Sequence, residues 1–160
     1  MNYVQQSAEI SEDGKYRYAL MRRFSMDGDG TILFIGLNPS TADGSVDDPT
    51  IRREVDFAQR WGYQIYLKGN LYAFRSTKPE KLRTVDDPVG PLNLRRLEAM
   101  VGEAHIVVAC WGQHRLSPQA ATIARWVLCL RHTRCLGFTR NGAPAHPLFL
   151  PKTTTLIPVE

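Results

Sequence analysis

No apolar run in the 160-residue chain approaches the roughly 20 residues that a helix needs to cross a bilayer, which excludes a membrane-spanning helix. The N-terminus, MNYVQQSAEISEDGKYRY, has no basic stretch leading into an apolar one, which argues against a secretory signal. Cysteine is scarce: Cys110, Cys129 and Cys135 form no CxxC, and an odd count points to reduced thiols, packing roles and a cytoplasmic location. These cysteines and the histidines at 105, 114, 132 and 146 lack zinc-ligand spacing, so no metal site is expected. A glycine-rich phosphate loop of the P-loop or dinucleotide type is missing, and with it any sign of an organic cofactor. The serines stand in no GxSxG elbow, which weakens a serine-hydrolase reading. Internal repeats and low-complexity tracts are also missing.

What is present reads as one globular domain over residues 1–160, expected to be a monomer, with about twelve N-terminal residues expected to be disordered. Hydrophobic residues make up 43% and charged residues 22%, near globular averages, which excludes disordered and fibrous classes for the chain as a whole. The net charge of +4 and a pI near 9.1 suit a nucleic-acid partner, or simply a basic solvated surface.

Tyr16–Phe24 and Thr31–Leu37 read as strands, and the two Asp-Gly turn signals between them predict an N-terminal β-hairpin. Asn38–Asp47 is rich in turn formers. Asp48-Pro49 then offers a cap and a first helical residue, and Ile51, Val55, Ala58 and Trp61 follow at helical spacing up to Gly62. Gln64–Leu67 reads as a strand, Leu94, Leu97 and Val101 as a helix, and Ile106–Trp111 as a strand covered on both faces. Ser117-Pro118 starts a third helix that runs to about Arg131. Arg134–Phe138 and Thr153–Val159 close the pattern as strands. Alternation of this kind predicts a three-layer α/β/α sandwich around a mainly parallel sheet. Ligands of such folds bind beyond the carboxyl ends of the strands, which directs attention to Asn38–Asp48, Asn70–Thr77, Trp111–Arg115 and Arg140–His146.

Each of these segments offers chemistry. Gly36 permits close backbone approach, and Pro39, followed by Ser40, makes the chain leave the sheet sharply, holding Asn38 at a strand tip. There Asn38 either orients a water or only caps a turn. Asp43, in an acidic loop with Asp47 and Asp48, is a candidate general base. Asn70 at a strand end can read a nucleobase edge. Tyr72 lies in the core or against a ligand, and Arg75 faces a phosphate or solvent. Trp111 packs or stacks, and His114 and Arg115 follow it in a loop. In the last segment Arg140 precedes Ala145-His146, which Pro144 and Pro147 flank and restrict. His146 is thereby a candidate pre-positioned donor for charge developing in a transition state.

Six blocks in order, LNPSTAD, DPTIRR, FAQRWGY, NLYAFRST, WG and LGFTRNGAPAHPLFL, resemble the family catalogued as domain of unknown function 1643, from about Tyr16 to Leu150. The motif order is also similar to the uracil-DNA glycosylase superfamily. Gly36-Leu37-Asn38-Pro39 matches the water-positioning block of its mismatch-specific branch, Asn70 matches the base-reading Asn by position, Trp111-Gly112 lies at a later strand end, and His146-Pro147 matches the block that stabilises the leaving base. That resemblance implies a uracil-DNA glycosylase-like fold and an N-glycosidic hydrolase that removes an unusual or modified base from DNA. A non-catalytic nucleic-acid or nucleotide-binding module, or an enzyme of free nucleotides, is the alternative. Two positions depart from the pattern: Ser40 stands where the branch has Gly, and Leu148-Phe149 follows His146-Pro147, with Leu148 the candidate duplex wedge.

Overall fold

The computed structural model describes residues 1–160. In chain order the elements are β1 (Gln5–Ile10), β2 (Arg17–Arg23), β3 (Thr31–Gly36), α1 (Pro49–Arg60), β4 (Ile65–Asn70), α2 (Asn93–Glu103), β5 (Ile106–Ala109), α3 (Pro118–Leu128), β6 (Thr133–Cys135) and β7 (Ile157–Pro158), with short 3-10 turns at Pro79–Arg83 and Pro147–Phe149. The helix starts follow the sequence chemistry. Asp48 accepts the Ile51 amide and Ser117 accepts the Ala120 amide, each with proline in the first turn. α2 has no side-chain cap, and its apolar residues Leu97 and Met100 hold it to the sheet instead.

One seven-stranded sheet runs β1-β2-β4-β3-β5-β6-β7. Side chains alternate across it. Ile32 and Phe34 of β3 pack with Val55, Phe57 and Ala58 of α1, whereas Leu33 and Ile35 pack with α2 and α3. Helices thus cover both faces, and the protein is α/β. β4, β3, β5 and β6 are mutually parallel, but β1–β2, β2–β4 and β6–β7 are antiparallel. The sheet is therefore mixed and not mainly parallel, because antiparallel strands are added outside the four-stranded parallel centre on both sides.

One further expectation is corrected. β2 and β3 form no hairpin: β4 lies between them, with Leu20 opposite Lys68 on one side and Leu33 opposite Leu67 on the other. Both faces of β3 are buried, and it takes β4 and β5 as parallel neighbours on its two edges. The Asp-Gly pairs lie in a connection longer than the two-residue loop that selects a tight hairpin. β1 pairs with β2 from Gln5 opposite Arg23 to Ile10 opposite Arg17, and this is the N-terminal hairpin. No helix is long and apolar enough to cross a membrane.

Phe34 ties the parallel centre to α1. It is fully buried and lies 6.2 Å from the Trp61 ring and 5.6 Å from the Tyr66 ring. Phe34→Ala is expected to lower the unfolding free energy by about 3–5 kcal/mol. Urea denaturation checks this, and a loss below about 1 kcal/mol would show that the site collapses without cost.

Candidate functional site

Among the parallel strands the order is second, first, third, fourth, so the chain reverses direction of winding between β3 and β5. In sheets of this kind the crevice outside the carboxyl ends of the strands at that point is where ligands bind. Here the segments leaving those ends are Leu37–Pro39 after β3 and Cys110–Gly112 after β5.

The face of the sheet under α1 carries a buried polar cluster at this rim. Glu54 of α1 is fully buried. Its Oε1 accepts from Lys68 Nζ at 2.7 Å, and its Oε2 accepts from the Tyr66 hydroxyl at 2.5 Å. The Cys110 thiol lies 3.6 Å from Glu54 Oε1 and donates to Ile35 O at 3.3 Å. Gly36 makes room for the cluster. A Cβ there would stand 2.7 Å from Lys68 Nζ and 3.1 Å from Asn70 Oδ1. Burial alone would lower the Lys68 ammonium, but the Glu54 carboxylate beside it raises it on balance. Burial, reinforced by Glu54, pushes the Tyr66 phenol well above its ordinary value. Burial likewise pushes the Cys110 thiol up, which keeps it protonated and unreactive.

Asn70 ends β4 at 2% exposure. Its backbone carbonyl accepts from Asn93, while its carboxamide has no hydrogen-bond partner in the chain. Asn38 differs. Its Nδ2 donates to Ser76 O at 2.9 Å and to Pro39 O at 3.1 Å, so both amide hydrogens are spent and Oδ1 is the free, fixed end. The turn-cap reading and the water-orienting reading of Asn38 therefore coexist. Asp43 Oδ1 accepts from the Ser45 and Val46 amides at 2.8 and 2.9 Å, and these bonds hold its carboxyl below the ordinary value. That carboxylate shapes the loop. Asp47 is engaged by Arg22 and Tyr3, and Asp48 caps α1.

His146 approaches the cluster from the C-terminal loop. Gly112 beside it is glycine because of its φ of +73°, and a Cβ there would make only ordinary contact, at 3.6 Å, with His146 Cβ and His114 Nε2. Burial, then the charge of Lys68, lowers the His146 imidazole, which is therefore neutral near pH 7. Its Nδ1 accepts the Leu148 amide at 3.3 Å, which assigns the remaining proton to Nε2 and makes that nitrogen a neutral donor. On the other side of the rim lies a cleft of about 830 Å³, lined by Leu37, Tyr72, Leu82, Arg83, His114 and Arg115 among others. The Tyr72 hydroxyl accepts the Ser117 amide at 2.8 Å and so fixes the ring at the start of α3.

The structure thus brings Gly36 and Asn70 to the Lys68–Glu54 pair, leaves His146 near enough for both charges to act on it, and puts Tyr72 in the adjoining cleft, which Asn38, Asn70 and His146 do not line. Trp111 is buried in the core, and Pro39 and Ser40 form the loop that anchors Asn38. Arg140 is exposed. At the tip after His146, Leu148 is 38% exposed but Phe149 is 85% exposed and is the more prominent apolar side chain. No motif singles out Glu54, Lys68 or Tyr66. The usable clue is a glutamate on the apolar stripe Ile51, Val55, Ala58 of a helix, facing a lysine within a buried strand.

Fold and site define an α/β protein with its polar groups converging at a strand-end crevice. The chain belongs to the family described as Protein of unknown function (DUF1643), which it matches over residues 17–148. No curated protein and no solved structure matches it.

Lys68→Met leaves Glu54 as an unpaired buried charge and is expected to cost about 3–5 kcal/mol in denaturant unfolding. Glu54→Gln combined with Lys68→Met is expected to cost clearly less. Equal losses in the two variants would show that packing, not charge pairing, dominates. For His146 the sign follows from its lowered imidazole: the unfolded chain takes up the proton first, so stability present above about 6.5 is lost as pH falls below it. His146→Gln is expected to flatten the decline between roughly pH 6.5 and pH 5, and urea midpoints measured across that window check it.

Proposed function

We propose that this chain hydrolyses an N-glycosidic bond, releasing an unusual or modified base from DNA, on a uracil-DNA glycosylase-like fold. The observation that carries this reading is His146, a neutral imidazole with its proton on Nε2, within reach of the Lys68 and Glu54 charges at the sheet rim where Asn70 ends β4. Asn70 reads the edge of the extruded base through its donor and its acceptor. Asn38, with both amide hydrogens engaged, holds the attacking water through Oδ1. Water adds to the anomeric carbon, the bond to the base breaks, and the base leaves with the electron pair. His146 Nε2–H donates to the base as that negative charge develops. The proton lost by the water ends on the released base, so the atoms balance. Phe149, with its ring centroid 6.1 Å from that of His146 and largely in solvent, stacks in the gap left by a flipped nucleotide.

A second reading, an enzyme or binding module for free nucleotides, draws support from the cleft, since about 830 Å³ lies within the range of small-molecule sites. The loop carboxylates also favour binding without catalysis, because Asp43 and Asp48 are committed to turn and cap.

Mass spectrometry of free bases released from DNAs carrying varied modifications tests the proposal. With a substrate that the parent cleaves, His146→Ala and Asn38→Ala are each expected to lower turnover about 10²-fold or more. Parental rates in both variants would remove these roles. Release from mononucleotides alone would select the second reading.

A further inference from the structure

A pair of arginines outside the cluster points to another ligand group. Tyr16 and Phe74 form an antiparallel bridge, flanked by the Arg17 amide donating to Ala73 O and the Arg75 amide donating to Lys15 O, both at 2.9 Å. In that register Arg17 and Arg75 are diagonal neighbours on one face. Arg17 is 2% exposed, and Arg75 is half-buried. Arg17 Nη1 donates to Ala42 O at 2.9 Å, and Arg75 Nη1 reaches Gly14 O at 3.4 Å. The Nε of each is buried and has no partner. Neither side chain forms a salt bridge.

Tethering through Nη1 leaves the Nε–Nη2 edge of each guanidinium free. That edge carries two parallel N–H groups, the geometry that grips an oxyanion bidentately. The two charges are close enough to act on each other. None of the acids nearby pairs with either arginine: Asp43 takes the Ser45 and Val46 amides through Oδ1, Asp48 caps α1, and Glu54 takes Lys68 and Tyr66. Orphaned buried donors are rare in folded chains, and two on neighbouring like charges mark a place for an anion. A carboxylate would be consumed by one fork, whereas a phosphate has oxygens for both.

We propose that Arg17 and Arg75 form an oxyanion site that takes one phosphate group, of a nucleotide or of a nucleic-acid strand, beside the loop that holds Asn38. The loop touches Arg17 through Ala42 O and reaches the residue after Arg75, where Ser76 O accepts from the Asn38 carboxamide. The site rests on this geometry and not on the proposed hydrolysis.

Calorimetric titration of the intact chain with inorganic phosphate, a nucleoside 5′-monophosphate, and a short oligonucleotide lacking terminal phosphates tests it. The parent is expected to bind the monophosphate or the oligonucleotide, with inorganic phosphate competing, and Arg75→Lys is expected to weaken binding about tenfold or more because charge remains but the fork is lost. Arg17→Lys is expected to act alike and is read only where its circular dichroism matches the parent; half-buried Arg75 carries the test alone otherwise. Binding of the monophosphate only identifies a terminal phosphate as the ligand group, and binding of the oligonucleotide identifies a phosphodiester. No binding by the parent at millimolar concentration, or parental affinity in Arg75→Lys, overturns the site. Phosphate binding without base release overturns the hydrolysis and leaves the site standing.

Discussion

Glu54 and Lys68 are tolerable in the interior only as partners, and much of the rim depends on that constraint. Either ion alone under α1 would carry a desolvation cost of several kcal/mol. Together, with the Tyr66 hydroxyl on the second carboxylate oxygen, they fix the rotation of α1 against β4. With α1 fixed, its cap Asp48 and the preceding loop are placed. Arg22 then pins that loop through Asp43 O at 2.7 Å and through the Asp47 carboxylate at 2.8 Å. The absence of a side chain at Gly36 admits the ammonium and the Asn70 carboxamide to the same small space. A substitution that enlarged Gly36 would therefore act on Glu54 without touching it.

The two flanks of the crevice are chemically different. Under α1 the groups are buried, charged and mutually satisfied, with Asn70 left over. Towards α3 the wall is Tyr72, Leu37 and Leu82, with Arg83, His114 and Arg115 around it. His146 and His114 both lie against Gly112.

Much of this was legible in the sequence, and the remainder was hidden for physical reasons. Helix starts at Asp48-Pro49 and Ser117-Pro118 were readable because a cap is a local interaction. The fully buried β3 was readable from its unbroken apolar run. Sheet order was not, because pairing of β2 with β4 across an intervening helix is a long-range choice that turn chemistry does not dictate. β1 escaped notice because Gln5, Gln6 and Ser7 are exposed on an edge and show no apolar alternation. Asn38, Asn70 and His146 stood out by their places beside Pro39, at a strand end, and between Pro144 and Pro147. The buried pair Glu54 and Lys68 did not, because a salt bridge between a helix and a strand leaves no fixed spacing in the chain. Arg17 was invisible for the same reason: its neighbour Arg75 is brought to it by a bridge between Tyr16 and Phe74.

The margins of the sheet bear on how the molecule meets other molecules. On one side β7 contributes two residues, one of them Pro158, which offers no N–H to a newcomer. On the other, β1 presents glutamines and Glu9, whose carboxylate is held by Arg96 at 2.7 Å. Pro158 therefore blunts the β7 margin, whereas β1 leaves one edge of a six-residue strand unpaired among polar side chains. The bare backbone of that one margin is the sheet's remaining capacity to pair with another strand.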